Sequence, residues 1–205
     1  MTRSPLFWLL FILLVIAAFT AVGPSEKTLG SNVRIVYLHG AWVWAAMAAF
    51  LMAAVVGLIG LATRRQPLHF WSRALGRTGL FFWITYLPIS MWAMQANWNG
   101  LFLAEPRWRL AVVFAAGGLL MQIGLALVED PAWASAANLF YALTLILALQ
   151  NTQDVMHPPS PILNSEALHI QLYFTGLLLL TLLAVWQIAR WWYHRELSTV
   201  RPRSD

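Results

Sequence analysis

Apolar residues gather along this chain in six long runs, Leu6–Val22, His39–Ala62, Thr78–Gln95, Leu110–Val128, Pro131–Leu149 and Ala167–Ala189, with polar residues clustered between them. Runs of about 20 apolar residues match a hydrocarbon core about 30 Å thick. Inside lipid the backbone must satisfy its own N–H and C=O groups, so such runs are expected to be helices. The pattern therefore predicts an all-α polytopic membrane protein, with six transmembrane helices in one domain over residues 1–205. The first run follows Arg3 much as a secretory signal would. It is long for such a segment, however, and the stretch from Ala17 to Val22 makes a weak cleavage site, so it is read as a retained helix.

Composition agrees with this reading. Sixty per cent of the 205 residues are hydrophobic and 10% are charged, against roughly 25% charged in soluble domains. There are no cysteines, which excludes disulfides, thiolate catalysis, cysteine-bound zinc and thioether attachment of a cofactor to this chain. The net charge of +5 does not point to nucleic acid, because the basic residues border the spans, where they set orientation.

Cytoplasmic segments of membrane proteins retain Lys and Arg. With the N-terminus inside, the inner segments hold nine such residues, Arg3, Arg64, Arg65, Arg73, Arg77, Arg190, Arg195, Arg201 and Arg203. The outer segments hold four, Lys27, Arg34, Arg107 and Arg109. Both termini are thus predicted cytoplasmic, with His69 and His194 inside and His39, His157 and His169 at or near the outer surface. Glu105, Asp154 and Glu166 share that outer side, fewer carboxylates than the mouth of a divalent-cation channel usually carries.

None of the six apolar runs contains Asp, Glu, Lys or Arg, which disfavours a proton- or ion-coupled transporter. Gln122, Asn138 and Gln171 are expected to hydrogen-bond between helices. Trp191 and Trp192, beside Arg190 and Arg195, read as anchors at the inner interface. Trp71 falls in the basic stretch 64–77, expected to be an inner loop lying on anionic headgroups.

The second outer loop reads Ala96-Asn97-Trp98-Asn99-Gly100-Leu101-Phe102-Leu103-Ala104-Glu105-Pro106-Arg107-Trp108-Arg109. It offers flat apolar rings to a planar ligand and guanidinium groups to carboxylates. The loop resembles the tryptophan-rich external loop of the CcmC and CcsA type of haem-handling protein in cytochrome c maturation, of the form W-G-x-x-W-x-W-D-x-R. Trp98 matches the first tryptophan, Phe102 keeps a ring at the second, Glu105 replaces the aspartate and Arg107 matches the arginine. Asn99 stands where glycine is expected, and Ala104 where the third tryptophan is. The segment Arg34–Trp42, containing His39, is similar to the family's histidine-bearing entry to the second span. The six-span layout, with the loop between spans three and four, matches over nearly the whole chain.

The resemblance implies non-covalent, transient binding of b-type haem on the outer face during cytochrome c biogenesis. His39 supplies one axial imidazole, and His157 or His169 the other. Trp98, Phe102 and Trp108 pack on the porphyrin, and Arg107 or Arg109 meets the propionates, with Glu105 in the same loop. Partners would be a haem chaperone or cytochrome c assembly proteins, with ABC-type transporter subunits a further candidate, in the inner (cytoplasmic) membrane. The chain is not expected to be an enzyme in its own right. Each residue also has a plainer reading. His39 and His169 can cap helix starts, His157 can be a solvated loop residue, Trp98 and Trp108 can be belt anchors, and Glu105 can pair locally with Arg107 or Arg109. A haem-free membrane scaffold, or a permease subunit of a transport complex, is the alternative function.

Overall fold

A computed structural model of the chain describes residues 5–128, 130–153, 162 and 165–200. Among these residues there are six helices and no strands: α1 Pro5–Ala21, α2 Val33–Thr63, α3 Gln66–Trp98, α4 Pro106–Leu127, α5 Pro131–Asn151 and α6 Leu168–Val200. Four of them, α2, α4, α5 and α6, are long and apolar enough to cross a membrane; α1 is apolar but shorter. The protein is therefore a multi-pass helical membrane protein.

α2 lies at the centre, packed on α3, α5, α6 and α1, while α4 touches only α3 and α5. Its buried stripe is built from small residues, Ala41, Ala45, Ala46, Ala49, Ala53, Ala54, Gly57 and Gly60. Small side chains let neighbouring backbones approach closely, which is how helices associate in a solvent as apolar as themselves. Gly79 of α3 lies against the Phe50 ring, where a Cβ would sit 2.7 Å from Cδ1.

The helices extend beyond the apolar runs. α2 begins six residues before His39 and puts that histidine in its second turn. The basic stretch 64–77, expected as an inner loop, is a loop only at Arg64 and Arg65. Arg64 adopts a left-handed φ of 56° that closes α2, and Pro67 sits at the start of α3, where its missing N–H costs nothing. Hydropathy could not find this helix start because the first three turns of α3 carry His69, Ser72, Arg73 and Arg77 on a backbone that is helical all the same.

Three inner-side expectations change accordingly. Trp71 does not lie in a headgroup loop: it stacks on Trp186 at 5.3 Å and on Tyr193 at 4.3 Å. His69 is buried, its Nδ1 2.7 Å from the Ser135 hydroxyl of α5. Arg73 and Arg77 are helical and reach Glu196 on α6. Of the intramembrane amides, Asn138 does bond between helices, donating to the Ser72 carbonyl of α3 at 2.8 Å. Gln171 donates to the nearby Ser165 carbonyl at 2.6 Å. Both polar atoms of the Gln122 side chain are buried without a hydrogen-bond partner among the described residues.

Candidate functional site

α2, α4 and α6 begin, and α1 and α3 finish, at one end of the bundle, tied together there by polar and ring contacts. Asn32, just before α2, donates to the Ala96 carbonyl of α3 at 2.9 Å. Tyr173 of α6 donates to the Phe19 carbonyl of α1 at 2.8 Å and stacks on the Phe19 ring. Gly40 sits against Phe174 of α6, which leaves the neighbouring His39 turned toward α3.

His39 is half-buried, its ring 5.5 Å from the Tyr86 ring and tilted by 49°. Tyr86 packs in turn on Trp83, whose indole N–H donates to the Ala111 carbonyl of α4 at 3.0 Å. Neither Tyr86 nor Trp83 stood out in the sequence, where both read as ordinary residues of an apolar run; their one-turn spacing was the available signal.

The aromatic loop spans residues 99–105, between α3 and α4. Asn99 closes α3 with φ 52°, a left-handed conformation that glycine adopts freely and asparagine tolerates. The asparagine that replaces the expected glycine therefore keeps the turn. At the far side Glu105 is the N-cap of α4, accepting the Trp108 backbone N–H at 2.6 Å, and Pro106 occupies the first helical position. Glu105 is only 9% exposed, and its other carboxylate oxygen is buried without a hydrogen-bond partner among the described residues. Glu105 forms no ion pair with Arg107 or Arg109; its job is to cap the helix. It also lies within electrostatic reach of the Tyr86 phenol.

Trp98 and Phe102 are exposed, at 42% and 38%, and present apolar rings at this end. Trp108 and Arg107 are half-buried on the first turn of α4, and Arg109 is exposed. His169, second residue of α6, is exposed beside the buried Ile170. His157 lies outside the described residues. The structure thus gathers His39, Tyr86, Glu105 and the loop at one end, and puts His169 on the start of α6 at that same end. Among the described residues there is no group of three or more His, Asp and Glu side chains arranged to hold a metal ion. A planar iron ligand held by two imidazoles does not need such a group.

Nearby, Glu26 accepts the backbone N–H groups of Leu29 and Thr28, at 3.0 and 2.8 Å, in the α1–α2 loop. These bonds, that from Leu29 first, hold its carboxyl below the ordinary carboxylate value.

Compared with protein-family models and with curated proteins, the chain matches none.

Proposed function

We propose that the chain crosses the inner membrane six times with both termini cytoplasmic, binds haem non-covalently on its outer face, and passes it to a haem chaperone or cytochrome c assembly partner. The observation that carries this reading is that His39, packed on Tyr86, and the Trp98–Trp108 loop lie at the same end of the bundle.

The residues there suit haem as cargo. A neutral imidazole is a good iron ligand, and His39 is half-buried rather than sealed in the core. The Tyr86 ring limits rotation of the imidazole by packing against it. Trp98 and Phe102 offer exposed flat surface for a porphyrin. Glu105 fixes where α4 begins, and so where Arg107, Trp108 and Arg109 emerge; the two guanidiniums suit anionic propionates. The second imidazole comes from His157 or from His169. Release needs only exchange of these ligands for those of the partner, so no bond within the haem is made or broken here.

A haem-free scaffold or permease subunit is the second reading, favoured by Ala104, an exposed methyl where the resemblance calls for an indole. The test is the absorption spectrum of protein produced with haem supplied, for the wild type and for His39→Ala, His157→Ala and His169→Ala. A Soret band that falls in His39→Ala and in one of the other two supports haem binding. Colourless wild-type protein that still co-purifies with membrane partners supports the scaffold.

A further inference from the structure

At the end of the bundle opposite His39, α3, α4 and α6 bring two guanidiniums around one carboxylate. Arg77 is paired with Glu196, and Arg73 Nη1 stands 3.5 Å from the other oxygen of that carboxylate. Arg73 also donates through Nη2 to the Leu125 carbonyl at 3.0 Å, in the last turn of α4, and Arg77 lies 5.2 Å from the centre of the Trp192 ring. The side chains of Arg73, Arg77 and Glu196 are 12%, 22% and 13% exposed, so the group is largely dry but keeps an open edge.

Two cations beside one carboxylate leave surplus positive charge in a poorly hydrated place, and such charge calls for a partner. The C-terminal end of α4 offsets only part of it. The Arg77 pKa shows the strain: burial lowers it, Glu196 opposes that effect, and the Arg73 charge adds to it. Hydrogen-bonding capacity is also left over. Arg73 Nε is buried without a hydrogen-bond partner among the described residues.

We propose that Arg73 and Arg77 form a binding site for a phosphate-type oxyanion in the seam where Arg73 of α3 reaches the last turn of α4 and Glu196 of α6, supplied by an anionic phospholipid headgroup or by free phosphate. Guanidinium forks match phosphate oxygens in geometry and charge. Trp192, packed on Arg77, is the aromatic company expected at headgroup depth. Glu196 acts as an internal competitor that occupies the guanidiniums while the anion is away. This site is independent of the haem reading.

The test uses the full chain in nanodiscs of phosphatidylcholine, with and without phosphatidylglycerol, at fixed ionic strength. Phosphatidylglycerol is expected to raise the thermal midpoint of the wild type by roughly 3–6 °C. The pair Arg73→Gln and Arg77→Gln loses the rise, whereas Arg64→Gln with Arg65→Gln, at the same end but outside the seam, keeps it. Inorganic phosphate added to phosphatidylcholine discs identifies a free anion as the occupant if it reproduces the rise in wild type but not in the Arg73/Arg77 variant. Glu196→Gln enlarges the rise, because the competitor is gone; this arm and the wild type decide the matter if the double arginine variant does not fold. No rise in the wild type with either source, equal loss in both arginine pairs, or a smaller rise in Glu196→Gln overturns the proposal.

Discussion

Asn138 on α5 donates to both the carbonyl and the hydroxyl of Ser72 on α3, at 2.8 and 3.1 Å, while the Ser72 hydroxyl donates onward to the Ala53 carbonyl of α2. Three helices are joined through one serine, with the His69–Ser135 bond beside it. The seam closes because Gly57 and Gly76 leave room for it; a Cβ on Gly76 would collide with the Asn138 amide. Gly76→Ala should therefore push the amide off Ser72 and destabilise the bundle by about 2–3 kcal/mol, from overpacking and a lost buried bond. Gly117→Ala, where a Cβ meets nothing within 4 Å, should cost nothing. Unfolding in mixed detergent micelles compares the two, and equal midpoints would show that the seam is not tightly packed.

The left-handed turn at Asn99 makes a second prediction. Asn99→Gly should be neutral to within about 0.5 kcal/mol, since glycine adopts this φ without strain. Asn99→Val should cost about 1–2 kcal/mol, because a β-branched side chain is strained there. Thermal unfolding of both variants checks the order; a valine variant as stable as the glycine one would mean that the turn does not need the left-handed conformation.

Glu105 caps α4 through a single bond to the Trp108 N–H. Glu105→Ala should lose about 1 kcal/mol and let the first turn of α4 fray, seen as faster amide exchange at Trp108. Glu105→Gln keeps an acceptor oxygen and should exchange nearly as slowly as the wild type. If alanine leaves Trp108 exchange unchanged, the cap is not what orders the start of the helix.

In the α1–α2 loop, Glu26 has a pKa below its ordinary value of 4.5 because the Leu29 and Thr28 amides favour its charged form. A lowered carboxylate contributes stability that is fully present above the ordinary value and is lost as pH falls through the lowered one. The turn Glu26–Gly30 should stay closed at neutral pH and open only in acid below 4.5. Amide protection at Thr28 and Leu29 followed down in pH reads this directly; Glu26→Gln should remove the dependence.

Much of the architecture is legible in the residues, because hydropathy reports where lipid must be displaced. Each of the six apolar runs coincides with one helix, overhanging it by at most one residue. Helix ends are not legible in the same way. α3 begins at Gln66 because Pro67 and the left-handed Arg64 allow a two-residue turn, and a run of basic side chains does not reveal that backbone. The same limit hid the Arg73–Glu196–Arg77 group, since partners 119 and 123 residues apart leave no local pattern. The histidines and the loop could be picked out by residue type, whereas Tyr86, which packs on His39, looks like any aromatic residue of an apolar helix.

Haem binding at the His39 end is the claim on which the functional account rests, and haem titration into purified protein in nanodiscs tests it most directly. His69, buried at the opposite end, is the internal control. The account predicts a Soret band that saturates in the wild type and in His69→Ala and is weakened at least tenfold in apparent affinity in His39→Ala. Equal titration curves for His39→Ala and the wild type, or loss only in His69→Ala, would contradict it.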